Sequence, residues 1–213
     1  DIGYTLGALY EYSDQTRFGI GYRSQVKHKL KGDIKFEGLM LPANQDISAR
    51  ITTPANLTIG AYHDINDKWS VMAEFGRTYW SSFDTLDIYG ENNGKMSTTE
   101  ERWKDTTFYA IGASYQYNDQ WKFRVGFAVD QSAVGQEYRT PRIPDSDRLW
   151  YSSGIEYKYN DDWTFNLGYT YIRADKGKVK LLGYHDGDNA RGSLQADYEN
   201  DIHILGFSAS YNF

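Results

Sequence analysis

Apolar and polar residues alternate along long stretches of this chain. Trp163, Phe165, Leu167, Tyr169 and Tyr171 fall on one side of an extended segment, with Thr164, Asn166, Gly168 and Thr170 on the other. Trp121, Phe123, Val125, Phe127 and Val129 oppose Lys122, Arg124, Gly126, Ala128 and Asp130 in the same way. Leu149, Tyr151, Ser153, Ile155, Tyr157 and Tyr159 oppose Arg148, Trp150, Ser152, Gly154, Glu156 and Lys158, and Phe18, Ile20 and Tyr22 oppose Arg17, Gly19, Gly21 and Arg23. A period of two with this contrast marks β-strands with one apolar face. Along the chain it predicts nine strands, over about 3–12, 17–36, 48–62, 69–89, 101–117, 121–138, 148–159, 163–182 and 196–213. A soluble sandwich and a membrane barrel would both show this period, so alternation alone does not choose between them.

The connections are more selective. Asn66-Asp67-Lys68-Trp69, Asn118-Asp119-Gln120-Trp121 and Asn160-Asp161-Asp162-Trp163 repeat one tetrad, and Ser13-Asp14-Gln15-Thr16 is a fourth without the Trp. Asn and Asp tolerate the left-handed backbone of a tight turn, so each tetrad predicts a short hairpin. Successive Asn positions at 66, 118 and 160 lie 52 and 42 residues apart. That leaves room for two strands of about 10 residues and a longer connection on the opposite side. Short turns at one end and long loops at the other are the pattern of an outer-membrane barrel.

Composition then separates the alternatives. The chain has 213 residues, 23 Lys+Arg against 29 Asp+Glu, a net charge of −6 and no cysteine. These values fit one domain or part of one, exclude a disulfide scaffold and a zinc–thiolate site, and argue against nucleic acid as a partner. The apolar runs are far too short for a membrane helix, which needs about 20 residues. A mean hydropathy of −0.69 does not exclude a barrel, whose strands average a lipid face with a lumen face. Asp1 opens into alternation with no basic or apolar leader, so a mature or partial chain is expected. Three features favour lipid on the apolar face. Trp and Tyr cluster beside the turns, as an interfacial girdle does. The opposite face carries charges and glycines where a small soluble barrel would be packed with apolar side chains. The last strand places Leu205, Phe207, Ala209, Tyr211 and Phe213 on one face, with Ile204, Gly206, Ser208, Ser210 and Asn212 on the other. The expected fold is all-β, an antiparallel transmembrane β-barrel spanning 1–213. Nine is odd, whereas single-chain bacterial barrels have even strand numbers, so further strands are expected upstream.

Five separated landmarks carry a family resemblance: Leu6-Gly7-Ala8-Leu9-Tyr10, the run Arg17–Val26, Tyr79-Trp80-Ser81-Ser82-Phe83, Trp103-Lys104-Asp105, and Ile143-Pro144-Asp145-Ser146-Asp147-Arg148-Leu149-Trp150. In order and spacing the chain resembles the carboxyl-terminal portion of the outer-membrane long-chain fatty acid transporter family (FadL-like). The resemblance implies nine strands of a fourteen-stranded barrel whose amino-terminal plug and kinked strand precede them. It implies passive uptake of long-chain fatty acids or other hydrophobic molecules, without chemistry, in the outer membrane of bacteria. It also implies contact with membrane lipid and lipopolysaccharide. The last strand, ending at Phe213 with apolar residues at every second position, itself resembles the signal read by the bacterial barrel assembly machinery.

A ligand of this class needs an apolar inward surface and a cation for a carboxylate. Inward candidates are Phe108, Trp150 and Ile204 for the chain, and Arg102, Lys104, Arg124 or Arg148 for the head group. The competing expectation is that the cations pair with Glu74, Asp130 and Glu156 in a polar lumen. In some relatives a lysine precedes the strand that starts near Trp103; here Thr98 and Thr99 occupy that neighbourhood. Pro144–Arg148 is expected to shape a loop, with Arg148 binding Asp145 or Asp147. Asp186-Gly187-Asp188-Asn189 has alternate carboxylates but lacks the Glu that completes a calcium loop, and a solvated loop is the better reading. His28, His63, His185 and His203 have no metal-ligand spacing, and no nucleophile elbow, phosphate loop or cofactor motif occurs. No enzyme is expected; His185 beside Asp186 is the one pair to test. The rivals are uptake of aromatic or alkane hydrocarbons, a structural or adhesive barrel acting through its outer loops, and a soluble lipid-binding barrel.

Overall fold

The computed structural model describes residues 1–35, 45–90, 94–183 and 192–213. Nine strands form one antiparallel sheet: β1 (Thr5–Ser13), β2 (Thr16–Arg23), β5 (Asn56–Asp64), β6 (Trp69–Thr78), β9 (Thr106–Gln116), β10 (Trp121–Asp130), β11 (Arg148–Lys158), β12 (Trp163–Ala174) and β15 (Asp201–Tyr211). Beyond the ends opposite the short turns the chain continues into β3 (Val26–Ile34), β4 (Gln45–Thr53), β7 (Thr85–Tyr89) and β8 (Lys95–Glu100), a separate four-stranded sheet, and into the hairpin β13 (Gly177–Leu181) with β14 (Leu194–Tyr198). The nine predicted strands are therefore present, but several are shorter than the alternation implied. Each long segment is cut where the chain leaves the wall: at Ser24, at Pro54-Ala55, and at Tyr79–Asp84, which includes a 3₁₀ turn over Trp80–Ser82.

At 9 to 12 residues for most wall strands, each is long enough to cross a bilayer when tilted, for which about 9–11 are needed. Exposure separates the two faces. In β10, Trp121, Phe123, Val125, Phe127 and Val129 are exposed, whereas Lys122, Arg124, Gly126 and Asp130 are half-buried and Ala128 is buried. The apolar face is thus the outer, lipid-facing one, and the glycine-rich polar face is the concave inner one. The first and last strands of the sheet, β1 and β15, do not pair with each other. The described sheet is an open part of a barrel wall.

The short turns hold together differently from the expectation. Among the described residues no Asn or Asp has a positive φ, so the tetrads do not use the left-handed backbone. Each Asn instead accepts two backbone N–H groups through its side-chain oxygen. Asn66 Oδ1 takes those of Lys68 at 2.9 Å and Trp69 at 3.0 Å. Asn118 takes those of Gln120 at 3.0 Å and Trp121 at 2.9 Å, and Asn160 those of Asp162 at 3.1 Å and Trp163 at 2.7 Å. The side chain mimics a turn of backbone and satisfies donors with no ladder partner. The Trp that closes each tetrad opposes a Tyr on the next strand: Trp69 and Tyr115 at 4.6 Å between centroids, Trp121 and Tyr157 at 4.4 Å, Trp163 and Tyr211 at 5.0 Å. These pairs form an aromatic band at one membrane interface.

Candidate functional site

Register aligns the inner-face residues of neighbouring strands into rows. Nearest the outer loops, Phe108, Asp130, Arg148 and Ala174 lie in line across β9 to β12. The next row is apolar: Ala110, Ala128, Trp150, Ile172 and Ile202. Below it come Gly112, Gly126, Ser152, Thr170 and Ile204, then Ser114, Arg124, Gly154, Gly168 and Gly206. Glu156 and Asn166 follow toward the short turns.

The three residues predicted to contact the chain share the inner face, two of them packed together. Phe108 and Trp150 pack edge to face at 6.4 Å, and Ile204 lies on the same face, one row below Ile202. Ala128 and Ile172 are buried beneath this patch. Ile172 and Ile202 were not singled out from the sequence, although extending the β12 alternation by one step beyond Thr170 would have reached Ile172. Gly76 makes the room: a Cβ there would lie 3.3 Å from that of Phe108.

The predicted cations divide into two groups. Arg124 and Arg148 are on the inner face and are paired. Arg124 bonds Glu156 and, at 3.2 Å, Asn166; Arg148 binds Asp130 at 2.9 Å and Asp145 at 3.3 Å. The apolar row is bounded above and below by these two ion pairs. Arg148 Nε is a buried donor with no hydrogen-bond acceptor among the described residues, and the buried Trp150 indole N–H lies beside the Asp130 carboxylate. Arg102 and Lys104 require a correction: the strand expected from 101 begins at Thr106, and both residues sit in the connection before it. The cause is Trp103, which packs against Trp80 at 4.9 Å and Phe83 at 5.0 Å and donates to Glu101 at 3.1 Å, pulling 101–105 into a corner. Arg102, with φ 42°, reaches Glu100 at 3.1 Å and stacks over Tyr138. Lys104 donates its N–H to Ala133 and lines a small outer hollow with Arg139 and Asp175.

The landmark residues prove to be fastenings. Asp105 accepts the Ser81 N–H at 3.0 Å and faces Arg77 at 3.6 Å. Burial favours the protonated form of Asp105, but the Ser81 hydrogen bonds and the Arg77 charge outweigh it and hold the carboxyl below its ordinary range. Asp145 and Asp147 accept from Ser132, and Ser146 donates to the Asp175 carbonyl at 2.7 Å. Arg139, which sequence reasoning missed because no local pattern marks it, is buried and donates to the carbonyls of Asp145 at 2.7 Å, Lys178 at 2.8 Å and Val134 at 3.4 Å. His185 and Asp186–Asn189 lie outside the described residues.

The family model described as "Outer membrane protein transport protein (OMPP1/FadL/TodX)" matches residues 1–213. The chain belongs to that family. It is 30% identical to the long-chain fatty acid transport protein of Escherichia coli O6:H1 over 227 residues, covering all of this chain and 50% of that one. Among solved structures it is similar to a Pseudomonas aeruginosa FadL homologue, with TM-score 0.87, 26% identity and coverage of 98% of this chain and 52% of the other. A Pseudomonas putida toluene transporter, TodX, matches with TM-score 0.62 at 25% identity, covering 99% and 49%. The chain spans about half the length of the relatives it matches. Membership places this FadL/TodX-family chain in the bacterial outer membrane, as β-barrel wall, in a family of transport proteins rather than enzymes.

Proposed function

We propose that these strands line part of the passage by which the barrel admits long-chain fatty acids or similarly hydrophobic molecules, passively and on ligand binding. The observation that carries this reading is the inner apolar row of Ala110, Ala128, Trp150, Ile172 and Ile202, with Phe108 at its outer margin, set between two closed ion pairs. A water-filled pore has no use for an unbroken apolar row, whereas an acyl chain gains about 25 cal/mol per Å² of apolar surface it covers. Arg124 and Arg148 are neutralised by carboxylates and do not draw in an anion by net charge. The Arg148 Nε and Trp150 Nε1 donors are covered by the wall and do not reach an incoming carboxylate. Arg102 and Lys104, on the outer connection, would meet a head group earlier. The Pseudomonas putida relative is a toluene transporter, and the edge-to-face pair of Phe108 and Trp150 would also accept an aromatic ring. Recognition of the β15 strand ending at Phe213 by the assembly machinery belongs to the same proposal.

The test is native mass spectrometry on protein purified from outer membranes in detergent, offered oleate and toluene in turn. Wild type should retain oleate, and Phe108→Ala with Trp150→Ala should lose most of it while keeping a folded barrel. Equal retention by the variant would sink the assignment of this patch. Retention of toluene but not oleate would move the reading to aromatic hydrocarbons.

A further inference from the structure

The hairpin of β3 and β4 rises from the outer ends of β2 and β5. Lys27, Lys29 and Lys31 alternate along β3 and so share one face, and Arg50 stands directly opposite Lys29 in register. All four are exposed, and none forms an ion pair among the described residues. Two carboxylates share this face at its far end: Asp33, one step along the strand from Lys31 and paired with Lys35, and Asp46 directly opposite Asp33. Elsewhere in the sheet Asp87 takes Lys95 and Thr98, and Glu100 takes Arg102.

A chain of net charge −6 thus gathers, on one face of one outer hairpin, four cations that form no ion pair among the described residues. The arrangement works against the hairpin's own stability, since like charges directly opposite repel across strands. Lysines on an edge strand deter edge-to-edge pairing, which accounts for β3 alone. It does not account for Arg50, which lies on the neighbouring strand, joined by β7 at Ser48 and Ala49. Such repulsion is relieved when a polyanion lies over the face.

We propose that this face docks the phosphate groups of lipopolysaccharide in the outer leaflet. Position and charge both support that partner. At about 3.3 Å per residue the cations stand roughly 13 to 26 Å along the hairpin from Arg23, the last wall residue of β2, within reach of a phosphorylated saccharide layer. Same-strand neighbours are about 7 Å apart, a spacing that serves several phosphates on one headgroup better than the single charge of a fatty acid. The proposal needs only the outer-membrane location and stands whether or not the inner patch carries oleate.

The experiment uses detergent-purified protein titrated with rough-type lipopolysaccharide, with the dephosphorylated glycolipid and with oleate. Each cation near an anionic surface adds about fivefold to affinity, so Lys27→Gln/Lys29→Gln/Lys31→Gln/Arg50→Gln should weaken lipopolysaccharide binding at least tenfold and flatten its salt dependence. Lys178→Gln/Lys180→Gln, exposed lysines on β13, should not. Exposed substitutions leave the wall intact, which the heat-dependent gel shift of a folded barrel confirms. Unchanged affinity in the fourfold variant, or equal binding of the dephosphorylated glycolipid, overturns the proposal. Loss of oleate capture with lipopolysaccharide binding intact overturns it too, and makes the face a collector of fatty acid.

Discussion

At the scale of single residues, side-chain hydrogen bonds to backbone fasten the pieces that β-ladders leave loose. Asn118 is the clearest case, with one oxygen accepting the N–H groups of Gln120 and Trp121. Asn118→Ala removes both acceptors from an exposed turn, where water replaces part of the loss, and should cost about 1 kcal/mol in urea unfolding of the refolded barrel. Asn118→Asp, which keeps the oxygen, should cost less. A turn held by left-handed backbone would rank Gly best at this position, so Asn118→Gly separates the two mechanisms. Asp105 carries a pH dependence. Its carboxyl is held below 3.8 by Ser81 and Arg77 against the opposing effect of burial. A depressed folded-state value stabilises above the unfolded one and is lost as pH falls through the folded one. The stability gap between wild type and Asp105→Asn should therefore be complete at about pH 6 and close progressively below about pH 4. A gap of constant width would mean that the Ser81 contact contributes nothing.

At the scale of elements, alternation proved a reliable guide to faces and a poor guide to ends. Trp150, Phe108 and Ile204 fall on the inner face as their neighbours' contrast required, because a one-residue slip would send every side chain to the other face. The same alternation ran on through Ser24 and Pro54, since strands that leave the wall and join the outer sheet keep the period of two. Pro54 was a visible signal, for proline cannot donate to a ladder and marks a strand end or edge. The corner at Tyr79–Asp84 had no such sign; it depends on Trp80, Phe83 and Trp103 meeting across 20 or so residues, a contact invisible to local pattern. Arg139 is the same kind of residue. It ties the loop before β11 to β13 through three carbonyls. Arg139→Met would bury those carbonyls unpaired, at about 1–3 kcal/mol each where water does not enter. Hydrogen exchange in 131–147 should rise steeply in that variant while β10 and β11 stay protected. Arg139→Lys, lacking the fork, should rescue only part of the effect.

At the scale of the whole molecule, the wall itself constrains where a hydrophobic ligand can go. From β2 to β15 each neighbouring pair of wall strands is in continuous register, and the one irregularity in the sheet lies between Glu11 and Ser13 on β1. In lipid every backbone group must be satisfied, so a sideways opening needs a break in the ladder, and these strands offer none. The edges of β1 and β15, which do not pair with each other, would be equally costly against bare hydrocarbon. Any lateral exit therefore belongs outside β2 to β15. Ala61 and Ala73 face lipid, opposite each other on β5 and β6, at a place where small side chains leave space for a covalent staple. Cysteines at these two positions, oxidised to a disulfide in a chain that has no other cysteine, would lock the seam without touching the inner patch. Cells whose outer membrane carries the stapled protein should take up labelled oleate at the wild-type rate, before and after reduction. Uptake that returns only on reduction would show that the seam opens during transport, and the unbroken ladder would then be the resting state of a gate.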